Sequence, residues 1–351
     1  MCKVFMIAGI KKDKVDDAWN FTKRIAEPMS TSNRDGLGYA AITADGKIFG
    51  ERWLDPKDAF KELSKLDESL LSVFGLATDK NKRENTYSSF GEIDYKNAVA
   101  IILHTRYATT AKGLNNVHPF VDEGAALIHN GVIRNPQEFD LKLSTCDSEA
   151  ILRSYLLENV KSDLKLIGPA VESLQGYYSV GMLTNTDIGP TLDIFKYNAS
   201  QHVTFVEELD TWILGTSDTD LKTVCSQLKY NHGSVLKLND CNAIRINAVT
   251  GKEHMIVDFK NNINIDNGYS KGGSHYVGTS ASTQPNYYQQ QTTVPKSNTV
   301  VKMNKTKSKN TPISDDLLEF YKSGQSSLNK LSEREIQEMI AEQEKVYGRL
   351  Y

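Results

Sequence analysis

The chain has 351 residues and 41 Lys+Arg against 44 Asp+Glu, a formal net charge of -3. That balance gives no general polyanion-binding character and excludes nucleic acid or an anionic membrane as a default partner. The hydrophobic fraction of 39% supports a normal core, while no apolar run approaches the roughly 18 residues a membrane span needs.

In chain order, alternating or continuous apolar runs predict strands at 4–8, 39–43, 47–51, 98–103, 125–129, 177–183, 192–197, 203–206, 211–215, 234–238 and 243–248. Helical spacing predicts helices at 15–26, 56–66, 147–160, 163–174 and 218–228. Within the third, Ile151, Leu152, Tyr155 and Leu156 repeat behind an acidic start. Many strands with helices between them read as mixed sheets covered by helices. The composition then shifts. Residues 264–313 are rich in Ser, Thr, Asn, Gln, Gly and Tyr, with a Lys-rich far end, and read as a flexible linker. Residues 314–351 regain apolar spacing. Ser332 and Glu335 form a capping box, and Ile336, Met339, Ile340 and Val346 make a stripe. This helical tail is expected to dock on another protein or to self-associate.

The opening MCKVFMIAGIKKDK lacks a basic region before a long apolar segment and is not read as a signal peptide. Cys2, Cys146, Cys225 and Cys241 form no CxxC pair, so neither a zinc site nor a disulfide framework is expected, and the compartment is read as reducing and cytoplasmic.

Five features carry chemistry. Removal of Met1 would leave Cys2 with a free α-amine able to take the thiol proton at neutral pH, so no separate His is needed. Arg106, in HTRYATT after the 98–103 strand, is placed to hold a small carboxylate through two parallel hydrogen bonds. In HNG at 129–131, the Asn130 amide beside the Gly131 N–H offers two donors to one point, as an oxyanion hole requires. Alone, that dipeptide reads more readily as a type I′ hairpin turn. Asp147, in TCDSEAIL, reads alone as a helix N-cap with Glu149 complementing the dipole, or as a reader of a substrate ammonium. A His-Pro element, NVHPF, lies at 116–120.

In this order, the N-terminal Cys, TRYAT, the His-Pro element, HNGVIRN and DSE resemble the class II glutamine amidotransferases. These are N-terminal-nucleophile hydrolases such as the glutaminase domains of glucosamine-6-phosphate synthase and amidophosphoribosyltransferase. The glycine segment NRDGLGYAAI, the GYYSV strand and WILGTSDTDLK extend the likeness over roughly residues 2–260. The resemblance implies an α+β, four-layer α-β-β-α sandwich at 2–263, followed by the linker and the helical tail. It implies Cys2 as nucleophile on the glutamine amide carbon, with Asn130 and Gly131 as the oxyanion hole. Arg106 would hold the α-carboxylate with support from Thr109, and Asp147 the α-ammonium. No metal or organic cofactor is implied. Tyr107 replaces the Trp of some relatives, and His118 matches a loop position that acts as a lid; both are candidate gating contacts, although a His beside Pro is more often structural. Thr110 stands where some relatives have His. Residues 55–71 look like an insertion over or beside the site. L-glutamine is the expected substrate, and ammonia would pass to a separate acceptor or synthase protein. A hydrolase of another γ-glutamyl amide, or a non-catalytic scaffold displaying the tail, are the alternatives.

Overall fold

A computed structural model describes residues 2–63, 86–108 and 112–260, with 60–63 by backbone alone. Met1, Thr109, Thr110, residues 64–71 of the insertion, the 264–313 linker and the 314–351 tail lie outside the described residues.

The first strand, β1 (Lys3–Ala8), is apolar on both faces, and its period of two divides the molecule. Phe5 and Ile7 turn towards one layer of helices, where they join Trp19, Phe21 and Ile25 of α1 (Val15–Ser32). Leu221 and Val224 of α5 (Asp218–Leu228) complete that layer. Val4, Met6 and Ala8 face the opposite way and pack on Ala126, Ile128, Leu183 and Ile194 of a second sheet. The far side of that second sheet presents Ala125, Leu127 and Ile133 to Ile151, Leu152 and Tyr155 of α3 (Glu149–Leu157), and to Ala170 and Val171 of α4 (Ile167–Glu172). Three stacked cores therefore separate four layers, in the order α-β-β-α.

The remaining elements follow from the same alternation. In the first sheet, β1 lies between β5 (Ala98–Thr105) and β11 (Thr211–Gly215). Beyond β5 come β2 (Leu37–Thr43), β3 (Ile48–Trp53) and β4 (Tyr87–Phe90); beyond β11 come β10 (His202–Val206) and β12 (Leu236–Lys237). The second sheet runs β14 (Glu253–Asp258), β13 (Asn242–Asn247), β9 (Gly189–Tyr197), β8 (Gly176–Thr186), β7 (Ala125–Ile133) and β6 (Phe120–Asp122). Every pairing in both sheets is antiparallel.

The expected α+β four-layer sandwich is the observed one. The helix α5 matches its predicted span, because Ser217 accepts the Asp220 N–H at its start and Lys229 turns left-handed at φ 57 after its end. Several bounds move. The helix α1 runs on to Ser32 through Pro28, six residues past the predicted stop. Proline costs one backbone bond, and burial of Met29 in the helix-side core offsets it. The predicted 163–174 helix is a 3-10 turn, Leu164–Leu166, followed by the short α4. The strands β4, β6 and β14 are absent from the sequence reading; they are edge strands with half-exposed faces, which weakens their apolar pattern. In α2 (Pro56–Leu63), Ala59 is buried in the helix-side core with Trp53. The described start of the insertion thus packs on the outside of the first sheet, away from the layer between the sheets.

Among the described residues, no helix is long and apolar enough to cross a membrane.

Candidate active site

Cys2 lies one residue before β1, and the pairing of Lys3 with Thr105 brings Arg106 to the same end of the first sheet. Thr105 also pairs with Leu37 of β2, and the Arg106 N–H donates to the Gly36 carbonyl at 2.8 Å. Three strands thus deliver Cys2, Arg106 and the 35–36 turn to one edge. The Cys2 Sγ is half-buried: the Tyr107 N–H donates to it at 3.4 Å, and the Tyr107 carbonyl lies 3.7 Å away. The Tyr107 ring itself is 49% exposed, at the mouth of the site.

Burial raises the Cys2 thiol above its ordinary value, and the Tyr107 backbone opposes the shift. Arg106 also pulls it down and Asp147 pushes it up. Both charged groups are therefore within electrostatic reach of the sulfur, although they lie 104 and 145 positions along the chain. Arg106 is buried, with only 3% of its surface exposed.

The second sheet supplies the facing wall. The Asn-Gly pair, which reads in isolation as a hairpin turn, lies inside β7: Asn130 pairs with Ser179 and Gly131 with Tyr178 of β8. Gly131 is required there for close approach rather than for a turn. Its φ is +155, and a Cβ would meet the Tyr177 carbonyl oxygen at 2.0 Å. Asn130 shares the parity of Ala126 and Ile128 and so faces the first sheet. Its side chain is buried, and its Oδ1 makes no hydrogen bond within the described residues.

Asp147 does not cap the helix that follows it. Ser148 occupies the N-cap position without a side-chain bond, and the Asp147 Oδ2 accepts the Ile133 N–H at 2.7 Å. Glu149 is fully buried in the first turn of α3, where its charge complements the dipole as expected. It accepts the N–H groups of Lys142, Leu143 and Ser144, which ties down the loop before α3. These partners are distant or unpatterned in sequence, so local capping rules could not find them. Cys146, whose thiol burial pushes up to about 11, is an inert buried neighbour.

Behind β7, the His129 Nδ1 meets the Ser148 Oγ at 2.8 Å, joining the HNG strand to the start of α3. His118 is 2% exposed and packs, tilted by 40°, against His104 at 4.0 Å and Phe120 at 4.5 Å between ring centroids. Those surroundings favour the structural reading of His118 over the gating one. Among the described residues, no three His, Cys, Asp or Glu side chains are grouped to hold a metal ion. The sequence reading missed Asp35 altogether: its partner Ala108 is 73 positions away.

Cys2 thus stands at the head of a central strand in the first of two antiparallel sheets, each backed by helices. No family model matches the chain. Over 133 residues, 34% of the chain, it is 34% identical to the glutamine–fructose-6-phosphate aminotransferase (isomerizing) of Helicobacter pylori, covering 22% of that protein. Over 177 residues, 47% of the chain, it is 26% identical to the protein of the same name from Campylobacter jejuni, covering 28% of it. The chain thus spans about a quarter of the length of these curated relatives. Among solved structures, it is similar to a glutamine phosphoribosylpyrophosphate amidotransferase from B. subtilis complexed with ADP and GMP. The TM-score is 0.52 at 18% identity, over 75% of this chain and 50% of that one. A structure described as the allosteric regulatory enzyme of purine biosynthesis gives 0.51 at 17%, with the same coverage. In sequence the chain is thus similar to part of two glutamine–fructose-6-phosphate aminotransferases, and in fold to part of a glutamine phosphoribosylpyrophosphate amidotransferase.

Proposed function

We propose that the chain hydrolyses the side-chain amide of L-glutamine and releases ammonia for an acceptor on a separate protein. What supports this is that Arg106 lies at the Cys2 end of the first sheet, Asp147 is bound to the end of β7 through Ile133, and both act electrostatically on the half-buried Cys2 sulfur. An apolar pocket has no use for a buried guanidinium and a carboxylate flanking a thiol, whereas an amino-acid zwitterion does.

A thiol raised by burial needs a base. Loss of Met1 supplies one, because the freed Cys2 α-amine has an ordinary pKa of about 8 and can take the thiol proton. The thiolate attacks the amide carbon, and the negative charge on the amide oxygen meets the Asn130 amide and the Gly131 N–H. Removing one such donor costs about 3 kcal/mol of transition-state stabilisation. The protonated α-amine then gives its proton to the departing ammonia, leaving a γ-glutamyl thioester. Water activated by the same amine hydrolyses that thioester to glutamate. Arg106 binds the α-carboxylate and Asp147 the α-ammonium; Thr109 would support the carboxylate. Tyr107, exposed at the mouth, is the gating contact. The acceptor protein is recruited through residues 314–351, or that tail self-associates.

The test is intact-protein mass before and after treatment with 6-diazo-5-oxo-L-norleucine, a glutamine analogue that alkylates such nucleophiles. The expected result is a chain lacking Met1 with one adduct mapping to Cys2, absent in Cys2→Ala. A chain retaining Met1 and carrying no adduct overturns the activity.

A further inference from the structure

Asp35 makes three polar contacts from one short turn, two of them to the backbone of the segment that carries Arg106. Its Oδ2 accepts the Ala108 N–H at 2.9 Å, and its own N–H donates to the Arg106 carbonyl at 3.0 Å. Its Oδ1 pairs with the Lys112 Nζ at 2.7 Å. The adjoining Gly36 carbonyl takes the Arg106 N–H, and a Cβ on Gly36 would meet the Val117 Cγ2 at 2.7 Å. The backbone on both sides of Arg106 and Tyr107 is therefore held from residues 35 and 36.

The Asp35 side chain is 18% exposed and that of Lys112 is 73% exposed. An ion pair so open on its cationic side contributes little by itself, so the acceptor for the Ala108 N–H is the larger effect. Lys112 nevertheless holds the Asp35 carboxyl below its ordinary value, against the opposing effect of burial. The group is charged across the neutral range.

We propose that Asp35 is a positioning residue for substrate carboxylate recognition: it fixes the 106–108 backbone so that the Arg106 guanidinium meets the α-carboxylate. This rests on the reading of Arg106 given above. A residue acting only on that contact changes recognition of the carboxylate and leaves the chemistry at the amide largely alone. A residue acting only on stability depresses every substrate alike.

The experiment compares glutamine with 4-aminobutanamide, which keeps the amine and the amide but has no carboxylate, on the full chain. Asp35→Ala should raise KM for glutamine about tenfold, leave kcat within about threefold, and leave kcat/KM for 4-aminobutanamide within about twofold. Asp35→Asn keeps an acceptor for the Ala108 N–H and should bring KM back to within about threefold of the unsubstituted protein. Equal losses on both substrates, or an unchanged glutamine KM in Asp35→Ala, overturn the proposal while the glutaminase reading stands. If the unsubstituted protein hydrolyses no glutamine, that reading fails and takes the proposal with it.

Discussion

The Asp147 carboxylate accepts the Ile133 N–H at 2.7 Å, which binds the acid to the end of the strand that carries Asn130 and Gly131. One oxygen is committed to the backbone, the other lies 3.5 Å from the Cys146 Sγ, and in the proposed function the charge meets the substrate α-ammonium. Asp147→Asn keeps an acceptor for Ile133 and loses the charge. It should raise KM for glutamine about tenfold or more with little change in Tm. Asp147→Ala should add a stability loss of about 1–2 kcal/mol, because the Ile133 N–H loses its partner. Steady-state kinetics and thermal melts of the two variants check both halves.

Gly131→Ala should unfold or misregister β7. The new Cβ would lie 2.0 Å from the Tyr177 oxygen and 2.6 Å from the His129 Nε2, at a φ of +155. A loss of more than about 2 kcal/mol is expected in chemical denaturation. Gly168→Ala is the contrasting substitution: the nearest atom to its Cβ is 3.9 Å away, in α4, and stability should hold or rise slightly.

The three buried histidines predict acid lability. Burial pushes His104 down to about 3, holds His118 well below its ordinary value of 6.5, and lowers His129 against the opposing pull of Asp147. All three are neutral in the fold, whereas the unfolded chain protonates them below 6.5. The unfolded state then binds more protons, so stability is complete above that pH and falls below it, down to about 3 for His104. Urea denaturation at pH 5.5 should give an unfolding free energy lower than at pH 7.5 by about 1 kcal/mol per histidine, with about 3–4 kcal/mol as the upper limit. Equal values at the two pH would mean that the rings are not held neutral.

Asp193 tests the second sheet apart from the active site. It accepts from the Arg245 Nε at 2.8 Å, from a second Arg245 nitrogen at 2.7 Å, and from the Tyr155 hydroxyl at 2.6 Å. Asp193→Ala leaves a guanidinium buried without its counter-charge and should cost about 3–5 kcal/mol. Paired replacement by Asp193→Leu and Arg245→Met should recover much of that loss, as read by Tm.

Local pattern was enough for α5, β1 and β11, where a cap or an unbroken apolar run leaves little choice. It failed at the HNG segment, because Asn-Gly satisfies a tight turn and a mid-strand close approach equally well. Only the neighbouring strand, with the Tyr177 carbonyl against Gly131, decides between them. It failed likewise at Asp147, whose cap-like spacing conceals a bond to Ile133, and it did not reveal the bonds of Glu149 to the 142–144 loop.

By itself the sequence determined the residue types of the proposed site and their order along the chain: Cys2, Arg106, Asn130, Gly131 and Asp147. The four-layer sandwich came from the resemblance those motifs carry. Tertiary structure alone decided how the site is held together, through the Tyr107 backbone on Cys2, Asp35 on the 106–108 segment, and His129 on Ser148. The reason is range. Hydrophobic period and caps act within a turn or a strand, whereas these bonds join residues up to 105 positions apart and exist only once both sheets are packed.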